Sequence, residues 1–210
     1  MWGHTQLEVG LPHQQADLFS GSAARGLVVF VHGDGGHRTS WRSLEVAHSL
    51  QRRGLSSLLF DLLTPRESDD KESRYDIDLL AGRLLGVIDA LPSDLSKLPL
   101  GLLGSDTGTA AALTVAMRRP HAVRALVSRG GRPELADDAL GRVRAATLLI
   151  VGAADADVLA HNRRAYLQLR CQKRLELVPR ATHQFLEAGA FDAVTRLAGD
   201  WFVAHLVPQA

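Results

Sequence analysis

The residues of this sequence with the types and spacing of a reacting centre fall into a few clusters. Gly104-Ser105-Asp106-Thr107-Gly108 lies between a short apolar run and the Ala-rich start of a helical pattern, Thr109-Ala110-Ala111-Ala112. Small residues two before and two after the middle position permit the tight strand-to-helix turn of a nucleophile elbow. Such a turn holds its middle side chain exposed on strained backbone. That middle residue is Asp106. Ser105 is the rival nucleophile, but Leu103 and Thr107 would flank it, and they do not supply the glycine frame. Asp155 and then His183 follow, giving the order nucleophile, acid, histidine. A carboxylate accepting the Nδ1–H of His183 would fix its tautomer and leave Nε2 facing the elbow. Asp157 competes for the acid position; Asp155 is preferred because it lies nearer the preceding strand.

A second loop, His32-Gly33-Asp34-Gly35-Gly36-His37, supplies further parts. The backbone N–H of Asp34, with that of Thr107, is placed to hold a developing negative oxygen. His32 is expected to shape the loop by bonding to backbone and to border the substrate. His32, Asp34 and His37 are also metal-ligand types, but a glycine-rich loop gives them no fixed convergence, so no metal and no cofactor are expected. Arg129 and Arg132 bracket Gly130-Gly131. They read either as ion-pair partners of residues such as Glu134 or as a clamp for an anionic substrate group, Arg129 being the expected contact. Trp41 reads as core rather than pocket wall, and Cys171 as packing.

These residues need a scaffold that brings strand ends together. Short, mostly apolar runs at 27–31, 55–60, 98–103, 123–127, 147–151 and 174–178 alternate with helical patterns at 41–53, 75–91, 108–119, 158–169 and 191–206. Alternation of this kind predicts an α/β domain with a mostly parallel sheet, whose chemistry gathers at the carboxyl ends of the strands. The first 26 residues are expected to add one or two antiparallel edge strands. Residues 64–74, Thr-Pro-Arg-Glu-Ser-Asp-Asp-Lys-Glu-Ser-Arg, read as a solvated loop, with a flap beside the site as the alternative.

Composition narrows the function. Twenty-four Lys and Arg against 23 Asp and Glu leave a net charge of +1, which offers no basic excess for a nucleic-acid backbone. The single cysteine allows no internal disulfide, and no apolar run approaches the roughly 20 residues that span a bilayer. The start of the chain lacks signal-peptide character, so a cytoplasmic protein acting on a small molecule, without membrane or nucleic acid, is expected. A homodimer is compatible with that reading.

The glycine-framed turn, the His-Gly loop and the tail Leu148-Leu149-Ile150-Val151-Gly152…Leu175-Glu176-Leu177-Val178-Pro179-Arg180-Ala181-Thr182-His183 together resemble the α/β-hydrolase family, in its small, cap-less dienelactone hydrolase-like branch. The resemblance runs over about residues 27–206. It implies one α/β-hydrolase domain over residues 1–210 with no cap, acid and base at Asp155 and His183, and an oxyanion hole at the Asp34 and Thr107 amides. In that branch the elbow carries serine or cysteine; here it carries Asp106. An ionised carboxylate, with a reference pKa of about 3.9, attacks without a base. On an sp³ carbon such as an epoxide's it would form an enzyme ester that His183 then helps water to cleave. On an ordinary ester or lactone carbonyl it would give an anhydride, a harder step. Asp106 as general base on water, and a silent site on a binding protein, remain the alternatives.

Overall fold

In the computed structural model the described residues are 2–10, 14–21, 23–33 and 37–207. Their strands form one sheet in the order β1-β2-β4-β3-β5-β6-β7-β8. The members are β1 (Trp2–Val9), β2 (Gln14–Gly21), β3 (Leu27–Val31), β4 (Ser56–Phe60), β5 (Leu100–Ser105), β6 (Val123–Arg129), β7 (Ala146–Gly152) and β8 (Lys173–Val178). The β1–β2 hairpin is the expected antiparallel edge, and β2 also runs antiparallel to β4; β4 through β8 pair in parallel. This is a single-domain α/β-hydrolase-type architecture with no added cap layer among the described residues.

Strand alternation sorts the apolar residues into two layers. In β3, Leu27, Val29 and Val31 face one layer while Val28 and Phe30 face the other. The first layer is closed by α4 (Ile77–Asp89) through Leu80, Leu84 and Val87, and by α5 (Thr107–Arg118), whose small Ala110–Ala112 run lets it sit close to the sheet. The second is closed by α1 (Trp41–Arg52) through Val46 and Leu50, and by α8 (Ala190–Leu206) through Phe191, Val194 and Phe202. The remaining helices are α2 (Pro65–Asp69), α3 (Lys71–Tyr75), α6 (Asp137–Leu140) and α7 (Ala156–Gln168), with a 3-10 turn at Pro133–Ala136.

The stretch 64–74 departs from its expected loop. It is short helix, because Thr64-Pro65-Arg66-Glu67 makes a capping box: Thr64 Oγ1 accepts from Glu67 N–H at 3.4 Å, and Glu67 accepts from Thr64 N–H at 2.9 Å. Asp70 then caps α3 by accepting from Ser73 N–H at 2.9 Å. Neither helix buries a residue, so the charged composition correctly indicated solvent while the caps decided the conformation. The strand expected at 98–103 begins two residues later, after Pro99, and runs through Ser105.

Strand order reverses around β3: the chain passes from β3 outward to β4, then returns to β5 on its other side. A crevice opens at such a switch point, between His32 and Asp106. The first turn of α5 presses against the end of β3 there. A Cβ on Gly108 would lie 2.1 Å from the Val31 carbonyl oxygen and 2.8 Å from Gly33 N, both backbone atoms that cannot swing aside. Gly108→Ala is therefore expected to lower unfolding free energy by at least the ~1–3 kcal/mol typical of overpacking. Urea titration followed by circular dichroism checks this; an unchanged midpoint would contradict the contact.

Candidate active site

Asp106 forms the junction between β5 and α5 with φ 48° and ψ −131°, backbone that essentially only glycine adopts freely. Neighbouring elements hold it there. Its carbonyl oxygen accepts from Thr109 N–H at 3.1 Å and Arg132 N–H at 3.0 Å, while Gly33 N–H donates to the Ser105 carbonyl at 3.1 Å. Gly104 completes the frame, since a Cβ there would stand 2.6 Å from Thr109 Cα. The paired small residues thus serve a close strand–helix approach, and the strain falls on the residue between them.

The loop after β8 carries His183, whose Nδ1 lies 3.1 Å from Asp155 Oδ2. Asp155 caps α7: its Oδ1 accepts from Val158 N–H at 3.2 Å, leaving Oδ2 for the imidazole. Asp157 sits exposed in the first turn of α7, and His183 is bonded to Asp155, so the spatial partner is the carboxylate nearer the strand. Two further positive-φ residues, Arg180 (φ 61°) and Phe185 (φ 54°), flank His183, and Thr182 N–H donates to Glu187 at 3.0 Å. Together they fold the loop back over the ends of β6 and β7.

Asp106, Ser105 and His183 line one cavity of about 170 Å³ with His32, Arg42, Arg129 and Gln184 among its walls. His32 is buried and bonds through Nε2 to Ser43 Oγ at 3.2 Å, a side chain of α1 rather than the backbone expected. Burial, with the nearby Arg129 and His37 charges, pushes its pKa down to about 3, so it is neutral at pH 7. It also borders a second cavity of about 340 Å³ lined by Gly33, His37, Asp61 and the α2 segment. Thr107 opens α5 fully buried, with its amide in the first turn, where no intrahelical acceptor exists. Asp34, the other expected oxyanion donor and a member of the suggested metal set, lies outside the described residues. Arg38 anchors the far side of that loop, its N–H donating to Asp61 Oδ1 at 2.8 Å and its guanidinium pairing with Asp17.

The bracketing arginines separate in space. Arg132 pairs with Glu134, as one reading had it, and is not among the cavity's walls; Arg129 has no such partner among the described residues and faces the cavity. Trp41 is corrected: with 57% of its surface exposed it is not core, and its ring packs on Phe191 with centroids 5.1 Å apart. It occupies the first position of α1, between Ser40 and Arg42, which both line the cavity. Cys171 is half-buried against the first core layer. Arg42 was missed, because nothing in its local sequence separates it from the other arginines on helical surfaces.

The model of the alpha/beta hydrolase fold matches residues 26–174. The chain belongs to that family. A crystal structure of a dienelactone hydrolase from Anabaena variabilis is 44% identical to this alpha/beta hydrolase, covers 98% of both chains and superposes with a TM-score of 0.91, which places the chain in the dienelactone hydrolase-like branch. A dienelactone hydrolase-like promiscuous phosphotriesterase from metagenomic libraries shares the fold at 18% identity, covering 95% of this chain and 98% of its own, with a TM-score of 0.74. Proteins of two strains of Mycobacterium tuberculosis, each named "Putative phosphoribosyl transferase", are 49% identical over 184 residues, 87% of this chain. The chain spans only 42% of their length. No described helix of this alpha/beta hydrolase is long and apolar enough to cross a membrane.

The strain and the buried histidine each have a measurable consequence. Asp106→Gly should raise unfolding free energy by about 1 kcal/mol, because glycine relaxes a conformation that costs other residues ~1–3 kcal/mol; a lower melting temperature would contradict this. For His32, the unfolded chain takes up a proton below its ordinary 6.5, while the folded chain resists protonation down to about 3. Stability should therefore fall as pH drops from 6.5, with a slope of up to about 1.4 kcal/mol per pH unit. Denaturant titrations at several values between pH 6.5 and 4.5 should show a shallower slope in His32→Asn than in the wild type.

Proposed function

We propose that the protein hydrolyses a small molecule through a covalent ester on Asp106, with His183 activating water and Asp155 orienting His183. A hydrolytic function is supported by membership of the family and by the 44% identity to a dienelactone hydrolase over 98% of the chain. The observation that carries the finer reading is the backbone of Asp106. A residue other than glycine at φ 48° is retained at the strand-to-helix apex, in the same cavity as an imidazole bonded to a carboxylate. Strain of this kind persists where the surroundings impose it, and it aims the carboxylate out of the turn.

The chemistry follows from a nucleophile that is ionised without help. One Asp106 oxygen attacks an sp³ carbon bearing a strained or activated C–O bond, as in an epoxide or a lactone opened at its alkyl carbon. The new C–O bond forms as the old one breaks; an epoxide's released alkoxide takes a proton from water and leaves a hydroxide, whereas a lactone's released oxygen stays a carboxylate. In the second step His183 Nε2 removes a proton from water, and the resulting hydroxide attacks the carbonyl carbon of the enzyme ester. The Thr107 amide, with that of Asp34, is the assigned donor to the oxyanion. Collapse expels the product alkoxide, which receives the proton from the imidazolium, and leaves Asp106 as a carboxylic acid. Its proton passes to solvent and restores the carboxylate; for an epoxide that proton neutralises the hydroxide left by the first step. The net reaction adds one water.

A carboxylate nucleophile needs His183 only for the second step, and this separates it from a serine-type site. His183→Ala, offered a panel of epoxides and lactones, is expected to accumulate an adduct on the peptide containing Asp106, read by mass spectrometry. In the wild type, one turnover in ¹⁸O-water should label Asp106 and leave the first product unlabelled. Label appearing at once in product, and never in protein, would make Asp106 a general base on water. Absence of both turnover and adduct across the panel would favour a binding protein on this fold.

A further inference from the structure

Arg42 and Arg129 reach one cavity from different elements, the first turn of α1 and the carboxyl end of β6, and Asp106 and His183 line the same cavity. A guanidinium so placed ordinarily meets a carboxylate, because a charge withdrawn from water is costly alone. Among the described residues, neither has a carboxylate oxygen within 4.0 Å. Aromatic faces hold them instead. Arg42 lies over the Trp41 ring at 5.1 Å, Arg129 over the Phe191 ring at 5.8 Å, and the two rings pack on each other. A π face fixes a guanidinium's position without consuming its in-plane N–H donors. The Nε of Arg42 is buried without a hydrogen-bond partner among the described residues. Burial and the Arg42 charge bring the Arg129 pKa down to about 10, so Arg129 remains cationic at neutral pH.

We propose that Arg42 and Arg129 form a subsite for a phosphoryl group, which anchors one end of the substrate while its reacting carbon faces Asp106. The placement of the reacting carbon rests on the function proposed above; the anion subsite stands on the arginines alone. Donor geometry selects the ligand class. A carboxylate has its two oxygens in one plane, and a single guanidinium satisfies both as a bidentate pair. A phosphoryl group has three tetrahedrally disposed oxygens and can accept from two guanidiniums approaching from separate walls. Charge agrees in sign: two arginines outweigh the single Asp106 carboxylate among the cavity's walls, and an anionic ligand compensates the excess.

Phenylphosphonate, which carries no bond this chemistry hydrolyses, tests the subsite, with benzoate as its planar counterpart, by titration calorimetry on the full chain. Saturable phenylphosphonate binding is expected, at least ~10-fold tighter than benzoate, and weakened ~10-fold or more by Arg129→Gln and by Arg42→Gln. Thermal unfolding of each variant checks folding. Arg42→Gln lies in the first turn of α1, outside the sheet, and keeps the test valid if Arg129→Gln misfolds. Asp106→Asn should bind phenylphosphonate more tightly, because a like charge leaves the cavity. No saturable binding in the wild type, equal binding of benzoate, or folded arginine variants that bind like the wild type would each overturn the proposal. Phenylphosphonate binding without any adduct in His183→Ala would leave the subsite standing and remove the nucleophile; an adduct without phosphonate binding would do the reverse.

Discussion

The contact between the first turn of α5 and the end of β3 is the constraint on which the site depends. Gly108 rests against the Val31 carbonyl with no room for a methyl group, and Gly33 lies equally close to the Thr107 and Gly108 amides. Helix and strand can approach this far only if the chain joining β5 to α5 reverses within one residue. Asp106 takes that conformation, and three hydrogen bonds, from Thr109 and Arg132 to its own carbonyl and from Gly33 to that of Ser105, keep it there. The backbone cost at one position is therefore the local price of a sheet–helix spacing set by the whole core. The same approach puts the opening amides of α5 beside Gly33, in the segment that follows β3.

The order of strands then determines what else reaches that point. Reversal at β3 leaves an opening that β6, β7 and β8 border with Arg129, Asp155 and His183, three residues far apart in sequence. The edge hairpin contributes differently. Asp17 in β2 pairs with Arg38, whose amide is held by Asp61 after β4, so the outer strands pin the far end of the loop that follows β3.

Much of this was legible in the sequence because the signals were local. The glycine frame about Asp106, the spacing to Asp155 and His183, and the apolar runs of β3 and β7 each follow from a few adjacent residues. What failed to show depended on tertiary neighbours or on caps overlooked in charged sequence. Trp41 looked like core by residue type, yet it opens α1 exposed, with its ring packed on Phe191. For Arg129 and Arg132 the sequence left open which would pair with Glu134 and which would face the cavity; the structure turns Arg132, past Gly130-Gly131, toward Glu134 and leaves Arg129 lining the cavity. The helices at 64–74 were written in Thr64, Pro65 and Glu67, and acidic composition obscured them.

Asp155 gives one oxygen to the amide that starts α7 and the other to His183. The carboxylate cannot rotate to suit the imidazole without uncapping the helix, so the helix acts as a torsional spring on the histidine. Tautomer choice is thereby tied to the fraying equilibrium of α7, and amide exchange at Val158 would report how long the imidazole keeps its orientation. A helix that contributes nothing to the turn at Asp106 would then set the lifetime of the Asp155–His183 pair.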